Sequence, residues 1–190
     1  MRGRKSIKDE KRRKILELSK KVFAKYGFAK TTMEDIGSEI GFTAAAIYYY
    51  FESKDHLFKE CIVDELTKVI DKIEQEIKAV NQPVEKLKKY IEIKVSMTRD
   101  VVKNLNMTKD VLEEMKGEVS KLGLKDLATR EYKIIEEIMK QGMESNIFRT
   151  VEIKKVAFII NAIVKELIST EDRKKDIEDI FDIILRGIQK

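Results

Sequence analysis

Apolar residues return every three to four positions over most of this chain, the spacing that lays them along one face of an α-helix. In the first such stretch, from Asp9 to Tyr26, Ile15, Leu16, Val22, Phe23 and Tyr26 carry the pattern and Gly27 ends it. Two short helices are expected between Thr32 and Phe51. A long helix capped by Ser53 then runs to about Ala79, with Leu57, Phe58, Ile62, Leu66, Val69, Ile70, Ile73 and Ile77 on its apolar face. Pro83, the only proline, sits in the first turn of the next helix, where its missing N–H costs nothing. That helix carries Val84, Leu87, Ile91 and Val95 and breaks or bends before Leu105. Further helices are expected over about 107–115, 124–145, 153–169 and 171–187. Alternating β-branched runs and hairpin dipeptides are missing, so no strands are expected. The reading is an all-α fold of about nine helices.

The stretch TMEDIGSEIGFTAAAIYYYFESK, residues 32–54, changes the picture from a generic helical protein to a specific motif. Thr32 is placed to cap a short helix with Asp35 completing a capping box, and Ile36 and Ile40 supply its buried face. Gly41 is the left-handed residue that ends it. Thr43 caps a second helix, residues 44–50, in which Ile47 and Phe51 are spaced for burial. Two short helices on so tight a turn suit the holding of the second helix in a DNA major groove.

The charge distribution agrees. Residues 1–60 hold 14 Lys/Arg against 9 Asp/Glu, and residues 61–190 hold 25 of each, so the whole excess of +5 lies with the motif. Phosphate backbones attract such a surface without regard to sequence. Within the motif, Thr32 and Thr43 are candidates for phosphate oxygens at helix N-termini, and Tyr48 and Tyr49 occupy adjacent positions, so at least one faces outward. Tyr50 and Phe51 are expected inside. Ala44 and Ala45 offer bases only methyl contact, which implies an operator read partly through thymine methyls and DNA shape. Residues 1–8 read as a basic arm, with Arg2, Arg4 and Lys5 in reach of an adjacent minor groove.

The wording Gly27-Phe28-Ala29-Lys30-Thr31-Thr32, then Ile36, Gly41, Ile47-Tyr48-Tyr49-Tyr50-Phe51 and Lys54-Asp55-His56-Leu57, resembles the tetracycline-repressor (TetR) family of bacterial regulators over about residues 10–58. The resemblance implies a three-helix DNA-binding domain, a larger helical ligand-binding and dimerisation domain, and a homodimer formed through the last two helices. It also implies repression, relieved when ligand binding releases the DNA. It places Tyr48 and Lys54 at backbone-contacting positions. The chain departs from the family at Gly37 and Ile40, where alanine is usual, at Phe42, which replaces a small aliphatic residue, and at Ala45, where glycine is common. Ala44 removes a polar or basic residue from the tip of the reading helix. The domains are set at residues 1–52 and 53–190.

In residues 156–168, VAFIINAIVKELI, apolar groups occur nearly all round the helix. Val156, Ile160, Ile163 and Leu167 form a 4-3-4 seam, and Ile177, Phe181, Ile184 and Ile188 repeat it. Two such seams suit half of an intermolecular four-helix bundle; the alternative is that both complete the monomer's core. For a ligand pocket the candidates are Met97, Met107, Met115, Met139 and Met143, whose side chains adapt to varied apolar guests and serve equally as core filler. Phe158 and Ile159 are placed to close such a cavity. Tyr90, Arg99, Tyr132 and Asn161 are its polar handles, Asn161 being equally suited to fixing the register of a dimer. The ligand expected is hydrophobic or amphiphilic: a fatty acid, an acyl thioester or a drug-like compound. The helix after Ser53 is the natural lever between ligand and DNA.

Catalysis has no candidate constellation. His56, the only histidine, forms an i, i+4, i+8 line with Glu60 and Asp64, a pattern more typical of a salt-bridged face than of a metal site. No Gly-rich phosphate loop and no paired-cysteine spacing occur, and no cofactor is expected. The lone Cys61 fits a reducing compartment, and no apolar run spans a membrane, so a cytoplasmic protein is expected. The rival reading is a helical partner-binding protein without sequence-specific affinity for double-stranded DNA.

Overall fold

A computed structural model describes residues 2–107, 124–169 and 174–190, with eight helices among them. These are α1 (Arg2–Tyr26), α2 (Met33–Ile40), α3 (Ala44–Tyr48), α4 (Lys54–Lys78), α5 (Pro83–Asn104), α6 (Leu124–Glu144), α7 (Ile153–Ser169) and α8 (Lys174–Ile188). The described residues contain no strand, only an isolated antiparallel bridge between Phe148 and Gln189. The helix expected over 107–115, with Met115, lies outside the described residues apart from Met107. No described helix is long and apolar enough to cross a membrane.

The chain divides into two compact units, Met1–Glu65 with Val101–Leu124, and Leu66–Asp100 with Lys125–Lys190. In the first, α1 contributes Ile15, Leu16, Val22 and Phe23 to a core completed by Met33, Ile36, Ile47, Phe51, Leu57, Phe58 and Ile62. Phe58 is its aromatic centre, 4.7 Å from the Phe23 ring edge-on and 4.8 Å from Phe28. Buried Lys20 binds three carboxylates, Glu17 at 2.9 Å, Glu65 at 2.7 Å and Asp64, and so ties α1 to α4. These carboxylates supply the negative charge that a buried ammonium needs.

One correction concerns the N-terminus. The segment expected as an arm is helical from Arg2 and forms the first turns of α1. Lysine and arginine are good helix formers, and a single glycine at position 3 does not outweigh them. The side chains of Arg2, Arg4 and Lys5 lie outside the described ones.

In the second unit, Val69, Ile70, Ile73 and Ile77 of α4 and Leu87, Tyr90, Ile91 and Val95 of α5 are buried, as are Ile134, Ile135, Ile138 and Met139 of α6. From α7 and α8 come Val156, Ala157, Ile160, Val164, Leu167, Phe181, Ile184 and Ile188. The chain end is fastened to the α6–α7 connection: Arg149 N–H donates to the Ile188 carbonyl at 2.8 Å and Arg149 Nε to that of Gly187 at 2.8 Å.

Candidate nucleic-acid interface

Each end of α2 and the start of α3 is closed by the residue the pattern nominates. At Thr32 the capping box is complete: Asp35 N–H donates to Thr32 Oγ1 at 3.1 Å, and Thr32 N–H donates to Asp35 Oδ2 at 2.9 Å. The Thr32 hydroxyl also donates to Asp35 Oδ2 at 2.7 Å, so this hydroxyl is used in both directions within the cap. Gly41 has φ +74°, and its N–H and that of Phe42 both turn back to the Gly37 carbonyl. There the turn crowds α2: a Cβ on Gly37 would stand 2.6 Å from the Phe42 carbonyl oxygen. Thr43 accepts from Ala46 N–H at 3.1 Å and is exposed, which leaves its hydroxyl proton to point outward.

On α3, Ile47 is wholly buried and fixes the helix roll, and the following Phe51 is buried too. That roll leaves Ala45 exposed and Ala44 half-buried, and turns both following tyrosines to solvent, Tyr48 48% and Tyr49 67% exposed. Tyr50 is half-buried and meets Tyr49 edge-on at 4.9 Å. Lys54 is half-buried; its Nζ donates to the Phe28 carbonyl at 2.9 Å and sits 4.3 Å from the Phe28 ring centroid. One N–H of this ammonium is thus committed inside the unit, with two left for an outside acceptor. His56 caps locally, its Nδ1 accepting from Glu52 N–H at 3.2 Å, and its Nε2 is 3.5 Å from Glu60. Asp64 turns instead to Lys20.

Two cations of α1 join this surface, and sequence reasoning missed both. Lys8 Nζ lies 4.8 Å from the centroid of the Tyr49 ring, and Arg12 lies over Phe51 at 4.7 Å while pairing with Glu60 at 3.1 Å. Their i, i+4 spacing in a basic stretch was the available signal.

Residues 15–61 match the family model for bacterial regulatory proteins of the tetR family. The HTH-type transcriptional regulator YfiR of Bacillus subtilis (strain 168) is 39% identical over 71 residues, 36% of this chain and 35% of the relative. Over residues 15–61 the chain is thus similar to bacterial regulatory proteins of the tetR family. The HTH-type transcriptional repressor KstR2 of Mycolicibacterium smegmatis is 30% identical over 77 residues, covering 40% of this chain and 38% of that one. The matches thus span little more than a third of these curated relatives. Across nearly the whole chain the fold is that of the fatty acid degradation regulator FadR from Bacillus halodurans, with TM-score 0.74, 17% identity and coverage of 92% and 94%.

In the rest of the chain, the structure redistributes the residues that periodicity grouped. The expected dimer seam is core: Val156, Ile160, Leu167, Phe181, Ile184 and Ile188 are buried within their own unit, and Ile163 and Ile177 are half-buried. Side chains already removed from water in one chain have no area left to bury against a second. The apolar groups that α7 and α8 expose are instead Phe158 at 75%, Ile159 at 51% and Ile183 at 67%. Phe158 and Ile159, expected to close a cavity, thus face solvent in the single chain.

The pocket candidates differ in burial. Met139 is buried in the core, and Met97, Met107, Met143 and Tyr132 are half-buried. Arg99 caps the end of α7, its Nε donating to the Leu167 carbonyl at 3.0 Å. A cleft of about 280 Å³ in the second unit has the buried Ile77 and Ile134 among Lys78, Lys86, Arg130 and Lys133, and none of the nominated residues lines it. Two nominated handles do meet. The hydroxyl of buried Tyr90 donates to Glu131, Lys94 pairs with the same carboxylate, and Lys94 Nζ donates to Asn161 Oδ1 at 3.0 Å. Lys94 and Glu131, absent from the sequence reading, thus join Tyr90 and exposed Asn161 in one polar cluster, and burial pushes the Lys94 ammonium down to about 8.

Proposed function

We propose that this chain is a homodimeric transcriptional repressor, residues 1–52 binding duplex DNA and residues 53–190 binding ligand and forming the dimer. The observation that carries the reading is the pair of exposed phenols, Tyr48 and Tyr49, on a helix whose roll is fixed by buried Ile47 behind a capped turn. Phenols offered to solvent on a short recognition helix suit phosphate oxygens and thymine methyls. Repression is favoured because KstR2, a relative over 77 residues, is a repressor.

The dimer uses the exposed faces of α7 and α8. Phe158, Ile159 and Ile183 are large apolar groups left in water, and a two-fold contact removes them from it. Two-fold symmetry calls for a pseudo-palindromic operator with half-sites about one helical turn apart or more.

Ligand acts by population shift, favouring a dimer whose two recognition helices no longer fit successive grooves, and DNA weakens ligand affinity in return. Helix α4 begins at Lys54 and continues to Lys78, so the helix that carries this candidate phosphate contact runs on into the second compact unit. A hydrophobic or amphiphilic ligand such as a fatty acid, an acyl thioester or a drug-like compound suits an all-helical sensor domain rich in Ile, Leu and Met. A fatty acid degradation regulator shares the fold.

The test is Tyr48→Ala and Tyr49→Ala, each checked for unchanged helicity and thermal midpoint. Loss of duplex binding in a folded variant is the expected result. Binding equal to wild type in both would remove the tyrosine face from the account.

A further inference from the structure

We infer that the N-terminal turns of α1 are a second phosphate-contacting element beside the recognition helix, with Lys8 as its anchor. The inference rests on the DNA-binding reading and extends the contact surface beyond the helix-turn-helix.

The geometry begins at Tyr49. This ring, 67% exposed, is the most solvent-facing aromatic group of the recognition segment. Two groups hold it: the Tyr50 ring, edge-on at 4.9 Å, and the Lys8 ammonium, 4.8 Å from its centroid. Lys8 therefore brings the second turn of α1 onto the surface that carries Tyr48 and Tyr49. Among the described residues no carboxylate pairs with Lys8, whereas Arg12, one turn later, is held by Glu60. An exposed ammonium resting on an aromatic face keeps its N–H groups for an outside acceptor. The ring also limits the freedom the side chain must lose on binding.

Helical geometry decides which part of the duplex this element meets. Because α1 is helical from Arg2, it presents a rod of about 10 Å across, and the minor groove of B-DNA is only about 6 Å wide. The rod does not enter that groove, so its cations meet the phosphates along the rim. The contact is electrostatic and independent of base sequence, and it is distinct from base reading by α3.

The test is a titration of a fluorescein-labelled mixed-sequence duplex with wild-type protein, Lys8→Gln and Lys8→Arg, repeated over a series of salt concentrations. Helicity and thermal midpoint are followed in parallel. Each phosphate contact contributes about 0.9 to the slope of log affinity against log salt. The expected result is that Lys8→Gln loses about one unit of slope for each subunit bound and several-fold in affinity, and that Lys8→Arg keeps both. Wild-type binding with unchanged slope and affinity in Lys8→Gln overturns the inference and leaves the DNA-binding reading intact. Weaker binding at unchanged slope also overturns it, because Lys8 would then act only by holding Tyr49. Absence of duplex binding by wild-type protein, even at low salt, overturns both.

Discussion

The ring of Phe148 lies directly over Gly142: a Cβ built on that glycine would run into the ring's Cδ2. The same glycine's carbonyl accepts the N–H groups of Ile147 and Phe148, each at 2.9 Å, and Phe148 then pairs with Gln189 near the chain end. One helical glycine therefore seats the aromatic plug that joins the end of α6 to the C-terminus. Gly142→Ala should displace the ring and cost about 1–3 kcal/mol, as overpacking does, despite alanine's better helix propensity. Phe148→Ala should cost about 3–5 kcal/mol. Urea unfolding of both variants checks this; a Gly142→Ala protein as stable as wild type would contradict it.

The two capping threonines should separate in experiment. Both help to close a helix, so Thr32→Ala and Thr43→Ala should each cost about 1 kcal/mol of stability. The Thr32 hydroxyl is fully engaged with Asp35, whereas Thr43 keeps a proton to donate. Duplex affinity, compared at temperatures equally far below each variant's midpoint, should therefore fall for Thr43→Ala and hold for Thr32→Ala. The reverse order would show that the cap opens to meet phosphate.

Acid should weaken the fold through particular carboxylates. Asp35 is held below its ordinary range by its hydrogen bonds from Thr32, Glu39 by Lys25, and Glu76 by Lys72 and Lys89. A carboxyl lowered in the folded state binds fewer protons there than in the unfolded chain. Its contribution is present above the unfolded value of about 4 and is lost as pH falls through the folded one. The urea midpoint should thus drop from pH 5 toward pH 3, and Asp35→Asn should make the drop shallower. A flat profile over that range would count against these pairings.

Helix α7 shows what was legible in sequence and what was not. Its bounds were readable, as were the glycine that ends α2 and the threonines that open α2 and α3, because caps and turns are local and each is fixed by a residue or two. The 4-3-4 seam was a different matter. Such spacing shows that a face is apolar, not which neighbour covers it, and α7 is apolar on two faces. Ile160 went into the core, the alternative that the spacing left open, and Phe158 was left outside. The Tyr90–Glu131–Lys94–Asn161 cluster joins three helices far apart in the chain, and no periodicity marks a contact of that kind. The basic N-terminus was misread because charge density suggested an arm, whereas the same residues favour helix.

The exposed apolar face gives a clean contrast for the dimer. Phe158→Glu and Ile183→Glu should yield folded monomers in light scattering, because these side chains meet water in the single chain. Ile160→Glu puts a charge into the core and should unfold the second unit. A Phe158→Glu protein that remains a dimer would move the interface elsewhere.

The central claim is sequence-specific recognition by a two-fold pair of helix-turn-helix units, and selection of bound duplexes from a random DNA pool at near-physiological salt tests it most directly. The account predicts one palindromic motif, enriched by wild-type protein and lost with Tyr48→Ala. Recovery of no motif, with binding that only fades as salt rises, would contradict it and leave the basic N-terminal region as a non-specific electrostatic surface.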